Sequence, residues 1–439
     1  MKRKLLAFLG ISALALGLAA CGSESGNKED DAAASDGKTK VSFTWWGAEV
    51  RHEKYIAAIE LFEEKNPDID IEYEYGAWDD YWKKLATKSA AGELPDVMQM
   101  DAAYLAQYGV KNQLADLTDF VAEGGGIDIS NINESLIDTA AMDDKLYAIA
   151  PSMNAMSMLV NKSITDGAGT TLDYSKYTFA DFVKSVSDTN KSTGGYGWID
   201  VSDNSVLLQY YLRTQGEELY DYDSDGKPEL AFTEKSFVTF MTAIQELAES
   251  GALPTAEVVN NLKSFDENPF SLGEAAYLQS WTNQYVTYQE SASDGVAFSL
   301  ELPFDAERTG AMYYRPTFYY SISETSKEKD AAAKFVDFIV NDEEANKIIG
   351  TERGIPANTV AKDAIYEQMT EPEKATSDYL DEIESMVGDA SPVPPVGYSE
   401  LNSHFKDLYA EITYGTMTPK EAYDDFVAKA EEIFNENYE

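Results

Sequence analysis

The 439-residue chain has one cysteine, Cys21, and two histidines, His52 and His404. A single cysteine excludes an intramolecular disulfide, so the fold rests on burial alone. Two imidazoles leave little for a histidine-ligated metal site. Basic residues are also scarce. The 34 Lys and Arg stand against 78 Asp and Glu, a formal net charge of −44. A surface that grips phosphates must be basic, so nucleic acid and anionic lipid are excluded as partners. Catalytic signatures are missing too: there is no Gly-x-Ser-x-Gly elbow, no cysteine nucleophile and no phosphate-cradling glycine loop. So acidic a chain always offers carboxylate pairs for glycoside hydrolysis, but nothing singles one out.

What is present begins at the N-terminus. Met1-Lys2-Arg3-Lys4 precedes an uncharged, mostly apolar stretch from Leu5 to Ala20, which ends in Leu18-Ala19-Ala20-Cys21-Gly22. The order is that of a secretory signal, and the stretch is shorter than the ~20 apolar residues of a spanning helix. The site resembles a bacterial lipoprotein box, which implies a signal peptide over 1–20 and lipidation (palmitate included) of Cys21. Residues 21–40 lack aromatic and branched apolar side chains until Val41. They read as a flexible tether with a reach of about 25 Å. The remaining 400 or so residues are ample for a large core in two domains.

From Val41 the pattern is strand, helix, strand, helix, strand. Val41–Gly47 reads as a strand and Glu53–Asn66 as a helix stopping at Pro67. Ile69–Tyr73 alternates as a strand, Tyr81–Ala91 is helical up to Gly92, and Pro95–Asp101 is a third strand. The order signals a parallel α/β sheet, whose ligands bind at the carboxyl ends of the strands. The apolar run Lys145–Asn161, broken by Pro151, reads as a crossing between two domains. Helices are expected at Phe179–Asp188, Phe237–Ser250, Lys329–Val340, Glu343–Gly350, Tyr379–Val387, Tyr398–Tyr414 and Pro419–Asn435. Asp221–Gly226 matches half a calcium loop, but Phe232 replaces the closing Glu, so a hairpin turn is the better reading.

Several stretches together resemble bacterial extracellular solute-binding proteins, with maltodextrin-binding proteins as distant relatives. They are Phe62-Glu63-Glu64-Lys65-Asn66-Pro67-Asp68-Ile69, Ala91-Gly92-Glu93-Leu94-Pro95-Asp96-Val97, Leu272-Gly273-Glu274-Ala275-Ala276, Ala331-Ala332-Ala333-Lys334-Phe335 and Arg353-Gly354-Ile355-Pro356. The resemblance covers Val41 to Phe434. It implies a two-lobe α/β periplasmic-binding-protein-like fold with a hinge and an interlobe ligand cleft. It also implies delivery of a carbohydrate to the membrane subunits of an ABC importer, by a monomer without cofactor or metal. The expected division is 41–150 for the first part of lobe 1, 151–310 for the first part of lobe 2, 311–360 for a return to lobe 1, and 361–439 for C-terminal helices mainly of lobe 2. A polyamine is the alternative solute, and a secreted glycoside-processing enzyme the alternative class.

A sugar site needs flat aromatic platforms and a few polar groups of fixed geometry. Trp45 and Trp46 are neighbours on a strand and point to opposite faces; the resemblance favours Trp46 as the ligand contact. Asp101 closes the third strand and either accepts sugar hydroxyls or caps a following helix. The resemblance implies a polar ligand residue at Asn154 in the crossing and a mouth-facing aromatic at Trp281. Arg315 stands in the aromatic run Tyr313–Tyr320, where an unpaired Arg is costly. It clamps a sugar or carboxylate, or pairs with one of the many acids. Tyr81, Trp198, Tyr398 and Asn402 follow from the resemblance by approximate position.

Overall fold

A computed structural model describes residues 37–438 apart from 143, 200–203, 263 and 309. Cys21, the apolar leader and most of the tether lie outside the described residues. The body begins slightly earlier than the composition suggests. The first strand is Thr39–Trp46, and Lys40 is held in it by ion pairs to Asp70 and Glu72 of the neighbouring strand.

The described chain is an α/β protein with two main sheets, one per lobe, and two small two-stranded ones. The first sheet runs Tyr319–Ile322, Val97–Met100, Thr39–Trp46, Ile69–Gly76. Its last three strands are parallel, and Tyr319–Ile322 joins antiparallel. The helix Glu49–Lys65 buries Tyr55, Ala58, Ile59 and Phe62 on one face, the spacing of an apolar stripe. The helix Trp78–Ala91 stops at Gly92, whose φ of +72° suits glycine.

The second sheet runs Ser299–Glu301, Ser152–Val160, Ala275–Trp281, Tyr196–Ile199. Ser152–Val160 is buried at every position. Its later residues pair with Ala275–Trp281 and Ser299–Glu301. Its first residues pair with Tyr314–Pro316 and Ile355–Pro356. Three residues after Pro316 the chain enters the first sheet at Tyr319, and Ile149 bridges to Tyr320. Two antiparallel segments therefore pass side by side between the sheets.

Lys329–Asn341 and Glu343–Ile349 return to pack near Glu49–Lys65, whereas Tyr398–Tyr414 and Pro419–Tyr438 pack on Glu234–Glu249 beside the second sheet. The helix expected over Tyr379–Val387 starts earlier and spans Glu371–Glu382. Thr370 and Glu373 form a reciprocal cap that fixes its start, a local signal the apolar spacing alone misses. Asp221–Tyr222 and Pro228–Glu229 form a hairpin. In its turn the Asp223 carboxylate accepts the N–H groups of Asp225 and Lys227. No described helix is long and apolar enough to cross a membrane.

Candidate functional site

Each sheet sends a strand end to one cavity. Asp101 follows Val97–Met100 and Trp281 ends Ala275–Trp281; each immediately precedes a helix. Between them lies a cavity of about 290 Å³, at the small end of the usual ~300–1,000 Å³ for ligand sites. Thr139 and Tyr319 complete its wall from the first lobe. Gln209, Tyr220, Tyr398 and Asn402 line it from the second, and Tyr313–Pro316 from the crossing segment. Of the nine residues expected from sequence, five meet here: Asp101, Trp281, Arg315, Tyr398 and Asn402.

Asp101 caps the helix after its strand and also lines the cavity. Its Oδ1 accepts the Ala103 N–H at 2.9 Å, capping the helix Ala102–Val110, while the residue lines the cavity. Arg315 is held by backbone pairing opposite Asn154 and stacks its guanidinium 4.8 Å from the Trp281 ring centroid. Tyr313 meets Trp281 edge-on at 5.9 Å. Tyr319 donates its hydroxyl to the Thr139 carbonyl at 3.0 Å, and Tyr398 shares a 3.0 Å bond with the Ser205 hydroxyl. Burial raises Tyr313 and Tyr319 above the ordinary phenol range, so both stay protonated.

One wall is fixed from behind. Arg213, itself buried, stacks on Tyr313 at 4.8 Å. It donates to the Gly310 carbonyl at 2.9 Å, the Asp389 carbonyl at 2.8 Å and the Ser391 hydroxyl at 3.1 Å. It also pairs with Glu218, whose carboxyl burial pushes up to about 7 against the pull of that arginine. The lining is otherwise neutral: hydroxyls, amides and aromatic faces, with Asp101 and Arg315 its charged members. Such a set offers hydrogen-bonding groups and flat apolar faces that suit a hydroxylated ligand. Among the described residues, no group of three or more His, Cys, Asp or Glu is arranged to hold a metal ion.

The other four expected residues lie elsewhere. Trp198 is a correction: it is fully buried against Phe182 in the second lobe, because its strand, at the edge of the second sheet, is covered by the helix Phe179–Thr193. Tyr81 is buried and donates its hydroxyl to the Gln99 carbonyl. Trp46 packs among Trp78, Tyr81, Trp82 and Phe318 in the first lobe. Asn154 lines a second cavity of about 280 Å³, together with Arg51, Thr317, Arg353 and Glu373, and donates to Thr317 Oγ1 at 2.9 Å. Sequence reasoning missed Thr139, Gln209, Tyr220, Tyr313, Tyr319 and Ser391. Tyr313 and Tyr319 sat in the aromatic run around Arg315; the others carry no local signal.

Residues 57–376 match the profile of the family described as bacterial extracellular solute-binding protein. The chain belongs to that family, which is one of binding proteins rather than enzymes. It is 23% identical to the maltodextrin-binding protein MdxE of Bacillus subtilis (strain 168), over 99% of each chain. It is 30% identical to the diacetylchitobiose binding protein DasA of Streptomyces coelicolor over 172 residues, 38% of this chain and 39% of that one. Among solved structures, it resembles an extracellular solute-binding protein family 1 member from Alicyclobacillus acidocaldarius, with a TM-score of 0.74 and 26% identity. That match covers 91% of this chain and 99% of the other.

Proposed function

We propose that this protein captures a sugar or oligosaccharide between its lobes by hinge closure and delivers it to the membrane subunits of an ABC importer. The observation that carries this reading is the interlobe cavity itself. It offers the Trp281 ring for the C–H face of a sugar, and neutral hydroxyls and amides for its rim. The two adjacent antiparallel segments are where a hinge of this kind flexes. The relatives named for maltodextrin and diacetylchitobiose support a sugar as the solute. Arg315 in the lining counts against a polyamine, since like charges repel in a dry site.

The hinge divides the chain near residues 150, 310 and 360, with the C-terminal helices in the second lobe. The protein is a monomer outside the cytoplasm, anchored through lipid on Cys21, with its signal peptide removed. Cys21→Ser protein should lose membrane fractionation and retain its leader; unchanged fractionation and migration would remove the anchor. A thermal-shift screen against a sugar panel tests the binding function. A ligand at 100 times its Kd stabilises by ~2.7 kcal/mol. A folded protein that no sugar stabilises would contradict the reading, and product formation from an oligosaccharide would make it an enzyme.

A further inference from the structure

Five arginines lie among the described residues. Arg51 pairs with Glu352, Arg213 with Glu218 and Arg308 with Asp305. Arg353, buried in the first lobe beside the second cavity, has no carboxylate partner either; it lies 3.8 Å from the Phe318 ring centroid and donates to Gln99. Arg315 differs in that its side chain forms neither an ion pair nor a hydrogen bond among the described residues. It lines the interlobe cavity, and no described carboxylate comes within ion-pairing distance of it. This is in a chain with 78 acidic residues against 34 basic ones, where an unpaired cation is not for want of carboxylates. Asp101, the carboxylate of the same lining, already accepts the Ala103 N–H and forms no ion pair with Arg315.

We infer that the ligand carries a carboxylate, and that the site takes an acidic sugar of the hexuronic type whose carboxylate sits on Arg315. The inference rests on the sugar-binding reading and narrows it. Two of its grounds are geometric. The guanidinium is held on the Trp281 ring, on a strand paired to the crossing strand, so it is pre-organised rather than free to swing into solvent. Its planar fork matches a carboxylate bidentately. The third ground is electrostatic. Lobe closure strips water from a cavity-lining cation. Hydroxyls of a neutral sugar replace the lost hydrogen bonds but supply no countercharge, and a desolvated unpaired charge is costly. The net charge of −44 does not forbid an anionic ligand, because exposed charges are screened over about 10 Å at 0.1 M salt and the groups beside the ligand dominate.

The test is calorimetric titration with disaccharides of galacturonic, glucuronic and mannuronic acid, each beside its counterpart with the carboxyls reduced to neutral hydroxymethyl groups. The best acidic disaccharide should bind at least about tenfold more tightly than its neutral counterpart, a ratio that shrinks as salt rises. Arg315→Gln should abolish that preference and Arg315→Lys should keep part of it, both with wild-type melting temperatures. A neutral counterpart that binds as tightly as the acid, or an Arg315→Gln protein that keeps the preference, overturns the inference and leaves sugar binding standing. A folded wild type that binds no sugar of either kind overturns both.

Discussion

Trp46 ends a strand of the first sheet and Trp281 ends a strand of the second. Each keeps 8% of its surface exposed, and each lies beneath an arginine: Arg353 at 5.0 Å from the Trp46 ring, Arg315 at 4.8 Å from the Trp281 ring. The difference is in what surrounds the pair. Around Trp46, the rings of Trp78, Tyr81, Trp82 and Phe318 pack within 6.0 Å, and Arg353 stacks on Phe318. Around Trp281, Tyr313 meets an edge, Arg315 stacks on the ring, and the residue lines the interlobe cavity. The same pairing of strand-end tryptophan and arginine sits in an aromatic cluster in one lobe and lines the interlobe cavity in the other.

Alanine substitutions should separate the two most widely. Trp46→Ala removes the centre of an aromatic cluster and should lower stability by about 3–5 kcal/mol, read from the denaturant midpoint. Trp281→Ala opens onto space that already exists. Its cost should stay in the ~0.5–3 kcal/mol of ordinary substitutions. Equal losses at the two positions would erase the distinction between core and wall.

The arginines sharpen the contrast at smaller scale. Arg353→Met breaks a buried bond to Gln99 and should cost about 1–3 kcal/mol. Arg315→Met removes no ion pair or hydrogen bond within the described protein and should change stability by no more than about 0.5 kcal/mol.

The strand, helix, strand, helix, strand pattern of the first lobe was legible because each element carries its own period and its own stop, as at Pro67 and Gly92. Tyr398–Tyr414 was legible end to end, being an amphipathic helix closed by Gly415 at φ +70°. The site was legible only where chain-local cues coincide with the cavity: Asp101 at a strand end, Trp281 after its glycine turn, Arg315 among aromatics. Part of what distinguishes Trp46 from Trp281 is long-range: Phe318, which packs on Trp46, comes from far along the chain. Asn154 shows that a place on the crossing strand does not decide which cavity a side chain lines. It lines the second cavity and bonds Thr317, while its register partner Arg315 lines the interlobe cavity. Gln209, Tyr220 and Ser391 enter the site only through tertiary packing.

His52 should give the first lobe a pH dependence of its own, beside that of the raised Glu218 in the second. Trp45 Nε1 donates to His52 Nδ1 at 3.0 Å, which needs that nitrogen unprotonated. Burial lowers the His52 pKa below its ordinary 6.5. The folded state then binds fewer protons than the unfolded one just below pH 6.5. The stabilisation is complete above that pH and is lost as pH falls through the depressed folded value. The melting temperature should decline on acidification in that window, and the decline attributable to this pair should vanish in His52→Gln. An unchanged pH profile in that variant would remove His52 as its source.

The account stands most directly on calorimetric titration of folded Trp281→Ala protein with the best sugar ligand of the wild type. If the cavity between Asp101, Trp281 and Arg315 is the binding site, affinity should fall by at least about tenfold while the melting transition stays cooperative. A cooperatively folded Trp281→Ala protein that binds the sugar with wild-type affinity would contradict it.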